Sequence, residues 1–355
     1  MDFVLFQKEI EKHFLSKGWD KNIIHNDIYY SKNYNNYLLN TKNKYLFDDA
    51  LLFQKLNDVF NSYGIHYRCC DSLLNNDGNT DFLIAGLQLV ESYLLNKKAL
   101  EKKSLWLLQP VIRLNNLPLC GSEDGYLSSF INICTIDVET DIYEYISRLE
   151  QWISILSYLS LHISGLKLVL KDKTTAFDGV GVEFQYKGID LGQANIYEIN
   201  SDNHKKYVSD FGFGYERLLW ILNGNKNFYV PIFPNYEVIN KNFQYNDRLR
   251  TFTLLVLSGI IPAANGINGK VRKIINSCFE MCNNCDCNML FAIEYYYNYY
   301  KKFIVPKYDL NTVIKIFLEE YNNYIKRFLC VSNGINNYSN KSLDEVCKKL
   351  ILKNI

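Results

Sequence analysis

VSDFGFGYERLLWILNG, residues 208–224, sets an acid, two glycines and a Glu-Arg pair directly ahead of an apolar helix that ends at Gly224. Gly212 and Gly214 let a strand and a helix approach a ligand closely, because neither carries a Cβ. Arg217 falls in the first turn of that helix. An arginine placed there needs an anionic partner, and a phosphate suits its fork of donors. Asp210 lies on the strand side, where a carboxylate can hold an ammonium group. The bland alternative is a glycine-permitted turn before a core helix, since a lone G-x-G is weak.

The surroundings narrow the choice. KSLWLLQPVIRLN (103–115) reads as a strand that ends in Arg113 and opens onto the polar loop LNNLPLCGSEDGY. Two arginines gripping opposite ends of a triphosphate would stabilise charge during attack at the α-phosphate. Phe130, on the β-rich run SSFINICTIDV (128–138), is placed to stack on a purine. Glu183 or Asp190, on neighbouring strands, would bind the Mg²⁺ a nucleotide needs.

Outward from this region, FQKLNDVFNSYG (53–64) is an amphipathic helix closed by Gly64, and IYEYISRLEQWISILSYL (142–159) has helical spacing. LKLVL, VGVEFQYKGIDLG and IYEI (166–170, 180–192, 196–199) read as successive strands, with turns at Asp178-Gly179 and Lys187-Gly188. After about residue 236 the pattern is helical to the end. The fold class expected is therefore α+β: a largely antiparallel sheet flanked by helices, followed by an all-helical domain. Three segments are expected: an N-terminal extension over 1–50, a catalytic domain over 51–235 and a helical domain over 236–355.

Composition supports a sizeable core, with 48% hydrophobic and 22% charged residues in 355. A net charge of +1 excludes a global basic field, so any nucleic-acid contact must be local, and no DNA partner is expected. There is no leader-like segment and no run of 18 apolar residues, so neither export nor a membrane is expected. The ten cysteines then belong to a reducing cytoplasm. Cys278, Cys282, Cys285 and Cys287 stand as C-x3-C-x2-C-x-C, close enough to hold Zn²⁺ tetrahedrally, with the first three also at the spacing of an iron–sulfur loop, or else free thiols at a helix end. Arg248, Arg250, Lys270, Arg272 and Lys273 form a basic segment, suited either to phosphates or to a solvated helix face. EYYYNYYKKF (294–303) is read as core plus surface rather than a stacking platform.

DFGFGYER resembles the third signature of class II aminoacyl-tRNA synthetases in its alanyl form, Asp-Thr-Gly-Met-Gly-Leu-Glu-Arg. Other stretches follow in the same order over roughly residues 53–278. DGNTDFLIAGLQ resembles the alanyl enzymes' Asp-Pro-Thr-Leu-Leu-Phe-Thr-Asn-Ala-Gly-Met, and QPVIR with SSFIN resembles the two ends of motif two. GVGVEF and DLGQ resemble Gly-Pro-Cys-Ser-Glu-Ile and Glu-Ile-Trp-Asn, and NDRLRTFTLLVLSGIIPAANGINGKVRKII is similar to the Arg-rich segment that follows. The resemblance covers the catalytic core without the family's zinc-bearing editing domain or its C-terminal domain.

What the resemblance implies is a ligase that uses ATP and Mg²⁺ to activate alanine or another small amino acid as an aminoacyl-adenylate, then passes it to tRNA. Arg113 would contact the α-phosphate, Phe130 would stack on adenine, and Arg217 would hold the γ-phosphate. Asp210 would take the α-ammonium, Gly212 would line the pocket, and Asp190 and Gln193 would face the metal or the substrate. The chain also departs from the pattern. The motif-two lysine is missing from LNNLPLCG, Asn132 replaces a glutamate, Asn75 a proline, and Gly192-Gln193 a Trp-Asn pair. Those departures keep open an acceptor other than tRNA, such as a small molecule, peptide or carrier protein. A catalytically silent binding paralogue is the third alternative, against which the joint presence of Arg113, Asp210 and Arg217 weighs.

Overall fold

The computed structural model describes residues 3–24, 27–32, 47–70, 72–74, 80–88, 103–171, 179–201, 204–224, 227–233, 242–281 and 287–331. The chain divides into two units, the first made of residues 1–117 and 129–234, the second of 118–128 and 235–355.

The first unit is built on β1 (Asp20–Ile24), β2 (Asp27–Ser31), β3 (His66–Tyr67), β4 (Lys103–Ile112), β5 (Ser129–Thr140), β6 (Leu166–Lys171), β7 (Gly179–Tyr186), β8 (Ile189–Ser201) and β9 (His204–Gly214). These make one sheet in the order β1-β2-β6-β7-β8-β9-β5-β4-β3. Every pair is antiparallel except β3 with β4. The α+β expectation is met, with that one parallel edge added. The two runs read as separate strands at 189–192 and 196–199 are a single strand, β8. The β7–β8 hairpin turns at Lys187 (φ 49°) and Gly188 (φ 84°), the paired positive φ values that a two-residue primed turn requires. Pro110 sits inside β4, yet β3 pairs only with Leu105 and Trp106, so its missing N–H costs no rung on that edge.

Helices α1 (Phe3–Ser16), α2 (Asp49–Ser62) and α3 (Ile142–Tyr158) supply the rings that cover one face of the sheet. Asp48 caps α2 by accepting from Leu51 N–H at 2.8 Å, and Gly64 (φ 72°) closes it. Strand alternation aims Trp106, Thr135, Phe211 and Phe213 at this face. Trp152 of α3 stacks on Phe213 at 3.9 Å and donates its indole N–H to Thr135 Oγ1 at 2.9 Å. Phe60 of α2 stacks on Trp106 at 4.7 Å. Each such buried ring contributes roughly 2–3 kcal/mol. Beneath α3, Arg148 grips Asp137 through Nε and Nη2 at 2.9 and 2.6 Å, so this buried charge is paired. The short helix α4 (Tyr215–Asn223) follows β9 and ends at Gly224 (φ 61°).

The second unit contains α5 (Phe243–Leu257), α6 (Gly266–Glu280), α7 (Cys287–Tyr300) and α8 (Leu310–Val331). From Tyr245 to Leu257, α5 is buried on all sides. This corrects both readings of Arg248 and Arg250, as phosphate contacts and as part of a solvated helix face. Arg248 pairs with Asp247, and Arg250 lies over Tyr299 and Tyr300 at 5.2 and 5.3 Å. On α6, Arg272 makes a two-pronged pair with Glu320 at 3.0 and 2.9 Å. Tyr296, Tyr299 and Tyr300 are buried, as the core reading of that stretch expects. Ser128 N–H and Oγ donate to Asp247 at 2.9 and 2.6 Å, which ties residues 118–128 to α5. Cys278 is buried against Tyr245 O, while Cys282 and Cys285 lie outside the described residues, as does the Cys287 side chain.

Candidate functional site

Alternation on β9 separates two kinds of side chain. Ser209, Phe211 and Phe213 face the helices, and Asp210, Gly212 and Gly214 face the other way. Register carries this second face across the sheet. Gly212 lies opposite Cys134 on β5 and Gln193 on β8; Asp210 lies opposite Ile136 and Asn195; Gly214 lies opposite Asn132, itself opposite Gln109 on β4. Phe130 and Val111 extend the same face toward Arg113, which directly follows β4.

Asp210 is 4% exposed, and its Oδ1 has no hydrogen-bond partner among the described residues. Burial pushes its pKa up to about 7, against the pull of the Leu87 N–H and of the Arg113 charge. Two more buried amide atoms on this face, Gln109 Nε2 and Asn195 Oδ1, also have no partner among the described residues. Buried polar atoms are normally satisfied, and three orphans on one face mark a surface made for a polar ligand.

The arginines flank this floor. Arg113 donates through Nε and Nη2 to Ile84 O at 3.2 and 2.7 Å, and its guanidinium lies 4.9 Å from the centre of the Phe130 ring. Desolvation and then the like charge of Arg217 loosen its proton, while Cys134, Asp190 and Asp210 tighten it. Both guanidiniums and both carboxylates therefore share one electrostatic neighbourhood. Arg217 Nη1 donates to Asp190 O and Oδ2 at 3.0 and 2.7 Å. Its neighbour Glu216 has a structural role: both carboxylate oxygens accept from Ile131 N–H, at 3.1 and 3.0 Å, fixing α4 to β5 beside Phe130.

Of the residues singled out in the sequence, Arg113, Phe130, Asp210, Gly212, Gln193, Asp190 and Arg217 come together. Glu183 lies one strand further out, opposite Gln193, where it pairs with Lys171 at 3.7 Å and accepts from Gln185. The carboxylates thus face cations rather than each other. Among the described residues no group of three or more His, Cys, Asp or Glu can hold a metal ion. Asp190 and Glu183, each paired with a cation, do not form a ready-made Mg²⁺ cage. Gln109, Asn195 and Gly86 also belong to the site; Gln109 and Gly86 stand in QPVIR and DGNTDFLIAGLQ, where no role was assigned to them. The signal that could have found the first two is even spacing along their own strands, Gln109 from Arg113 on β4 and Asn195 from Gln193 on β8.

The Gly192-Gln193 departure resolves into two effects. Gln193 is exposed on the site face. A Cβ on Gly192 would sit 2.1 Å from Gly212 O and 2.7 Å from Phe213 Cα, so glycine there lets β8 lie against β9 rather than enlarging a pocket. Gly192→Ala is expected to cost about 1–3 kcal/mol, read as a lowered unfolding midpoint in chemical denaturation.

No family model matches the chain, and no curated protein matches it. Two solved structures of the pyrrolysyl-tRNA synthetase of Desulfitobacterium hafniense are similar to it. Each is 16% identical over 50% of this chain and 70% of theirs, with a TM-score of 0.37.

Proposed function

We infer that the first unit is a class II synthetase-like adenylating domain. It activates alanine or another small amino acid with ATP and transfers the product to tRNA. One observation carries this reading: a buried carboxylate with a free oxygen, Asp210, on a strand face flanked by Arg113 and Arg217. An ammonium group answers the first need, and the anionic oxygens of a nucleotide answer the second.

In this reading the substrate ammonium docks on Asp210. Arg113, beside Phe130, holds the α-phosphate with the base against the ring, and Arg217 holds the γ-phosphate. The substrate carboxylate oxygen attacks the α-phosphorus, the bond to the bridging oxygen breaks, and pyrophosphate leaves. The chain supplies alignment and charge neutralisation rather than a nucleophile. An acceptor hydroxyl then attacks the acyl carbon and AMP departs. Mg²⁺ arrives with the nucleotide.

A second reading keeps the adenylation and changes the acceptor to a small molecule, peptide or carrier protein. The commitment of Arg248, Arg250 and Arg272 to internal partners favours it, since it leaves Lys270 and Lys273 as that segment's exposed cations. Exchange of labelled pyrophosphate into ATP, run across all standard amino acids, tests both. Exchange with a small amino acid and acylation of bulk tRNA are expected. Exchange without acylation selects the second reading, and no exchange with any amino acid overturns both.

A further inference from the structure

The turn Ile84–Gln88 touches both ends of the site. Ile84 and Ala85 N–H donate to Gln88 Oε1, and Gln88 Nε2 donates to Thr80 Oγ1, whose own hydroxyl donates to Phe82 O at 2.8 Å. The side chain of Gln88 thus closes the turn on itself. Leu83 anchors it to neighbouring backbone, donating to Leu73 O at 2.8 Å and accepting from Ile112 N–H at 3.2 Å.

Three contacts lead from this turn into the site. Ile84 O receives the Arg113 guanidinium. The Leu87 N–H favours the ionised Asp210 carboxylate, lowering its pKa. Gly86 lies so close that an added Cβ would stand 2.7 Å from Asp210 Oδ1 and 3.0 Å from Cys134 Sγ. The charged and titratable groups facing Asp210 are Arg113 at the end of β4 and Cys134 on β5, with the Leu87 N–H from the turn.

We propose that Gln88 is a positioning residue: its amide locks the Ile84–Gln88 turn and so sets the Arg113 guanidinium and the Asp210 carboxylate together. The consequence for catalysis rests on the function proposed above, but the positioning itself does not.

The test is a carbon-13 titration of the Asp210 carboxylate in the full chain, its resonance assigned by loss in Asp210→Asn. Gln88→Met keeps the side chain's length and removes its hydrogen bonds. Its Asp210 midpoint should move upward by about one pH unit, the size of one lost hydrogen bond to a carboxylate. Thr80→Val, which removes only the far anchor, should move it in the same direction by less, and Thr80→Ser should not move it. In the exchange assay the deficit of Gln88→Met should be several-fold at pH 7 and recover toward pH 9, where Asp210 ionises anyway. A Gln88→Met midpoint within about 0.2 units of the parent overturns the proposal; if that variant does not fold, an unmoved Thr80→Val midpoint does so. A shifted midpoint in a chain without exchange keeps the positioning role and removes the proposed function. An unshifted midpoint in an exchanging chain does the reverse.

Discussion

Arg217→Ala is expected to lower amino-acid-dependent pyrophosphate exchange by about 10²–10³-fold, the effect of deleting one preorganised donor to developing charge. The same change should leave the unfolding free energy within about 0.5 kcal/mol of the parent. The two halves follow from where the side chain stands. Its pair with Asp190 is partly exposed, at 30% and 48%, and such pairs contribute little to stability. A cation in the first turn of a helix is also opposed by the helix dipole. The local preference at this position is for an acid, which Glu216 already supplies by holding Ile131 N–H. Arg217 is therefore present against the local preference of α4, and in the function proposed the nucleotide's anionic oxygens are what it serves. Arg217→Lys should recover little, because an ammonium cannot reproduce the planar fork on two phosphate oxygens. Parent-level exchange by the folded alanine variant would remove Arg217 from the phosphate role.

Much of the sheet was legible because its strands alternate or run apolar, and its turns carry the residues such turns demand. Lys187-Gly188, Gly64 and Gly224 all mark the ends they signal. The site's two ends were legible for a similar reason. An arginine ending an apolar strand and another opening an apolar helix stand out against their neighbours. Between them Asp210, Gly212 and Gln193 were legible, and the rest of the floor was not. Gln109 and Asn195 look like ordinary polar residues in strands until β4, β5, β9 and β8 are laid side by side in register. Pairing between distant segments is the information a local pattern lacks.

The basic segment failed differently. Arg248 and Arg250 resemble surface cations by type, and only the tertiary packing of α5 reveals an acid and two tyrosine rings waiting for them. Long charged side chains bury readily when a partner is supplied, so residue type alone does not place them outside. The turn at 84–88 was hidden for a third reason. Its role is carried by backbone groups, whose orientation a single glutamine settles.

Asp210→Asn should both weaken exchange and stabilise the chain, a combination few structural residues give. The activity loss follows from charge: asparagine presents a neutral oxygen to an ammonium, and a charge-assisted bond becomes an ordinary one. The fall should reach about 10²–10³-fold, appearing mainly in the amino-acid KM. In the parent, exchange should rise with pH through about 7, where the carboxylate ionises. The stability gain follows from the same shift with the sign worked out. Burial raises the pKa from 3.8 to about 7, so between those values the folded chain binds more protons than the unfolded one. Stability then falls as pH rises across that window and stays low above it. Three units correspond to about 4 kcal/mol at most. Asparagine removes that fall. The variant should therefore match the parent near pH 3 and exceed it at pH 8, in denaturant melts at the two pH values. Equal stability at both pH values would mean that Asp210 is not held as a buried carboxylate with one unpaired oxygen, and the case for it as the ammonium site would go with it.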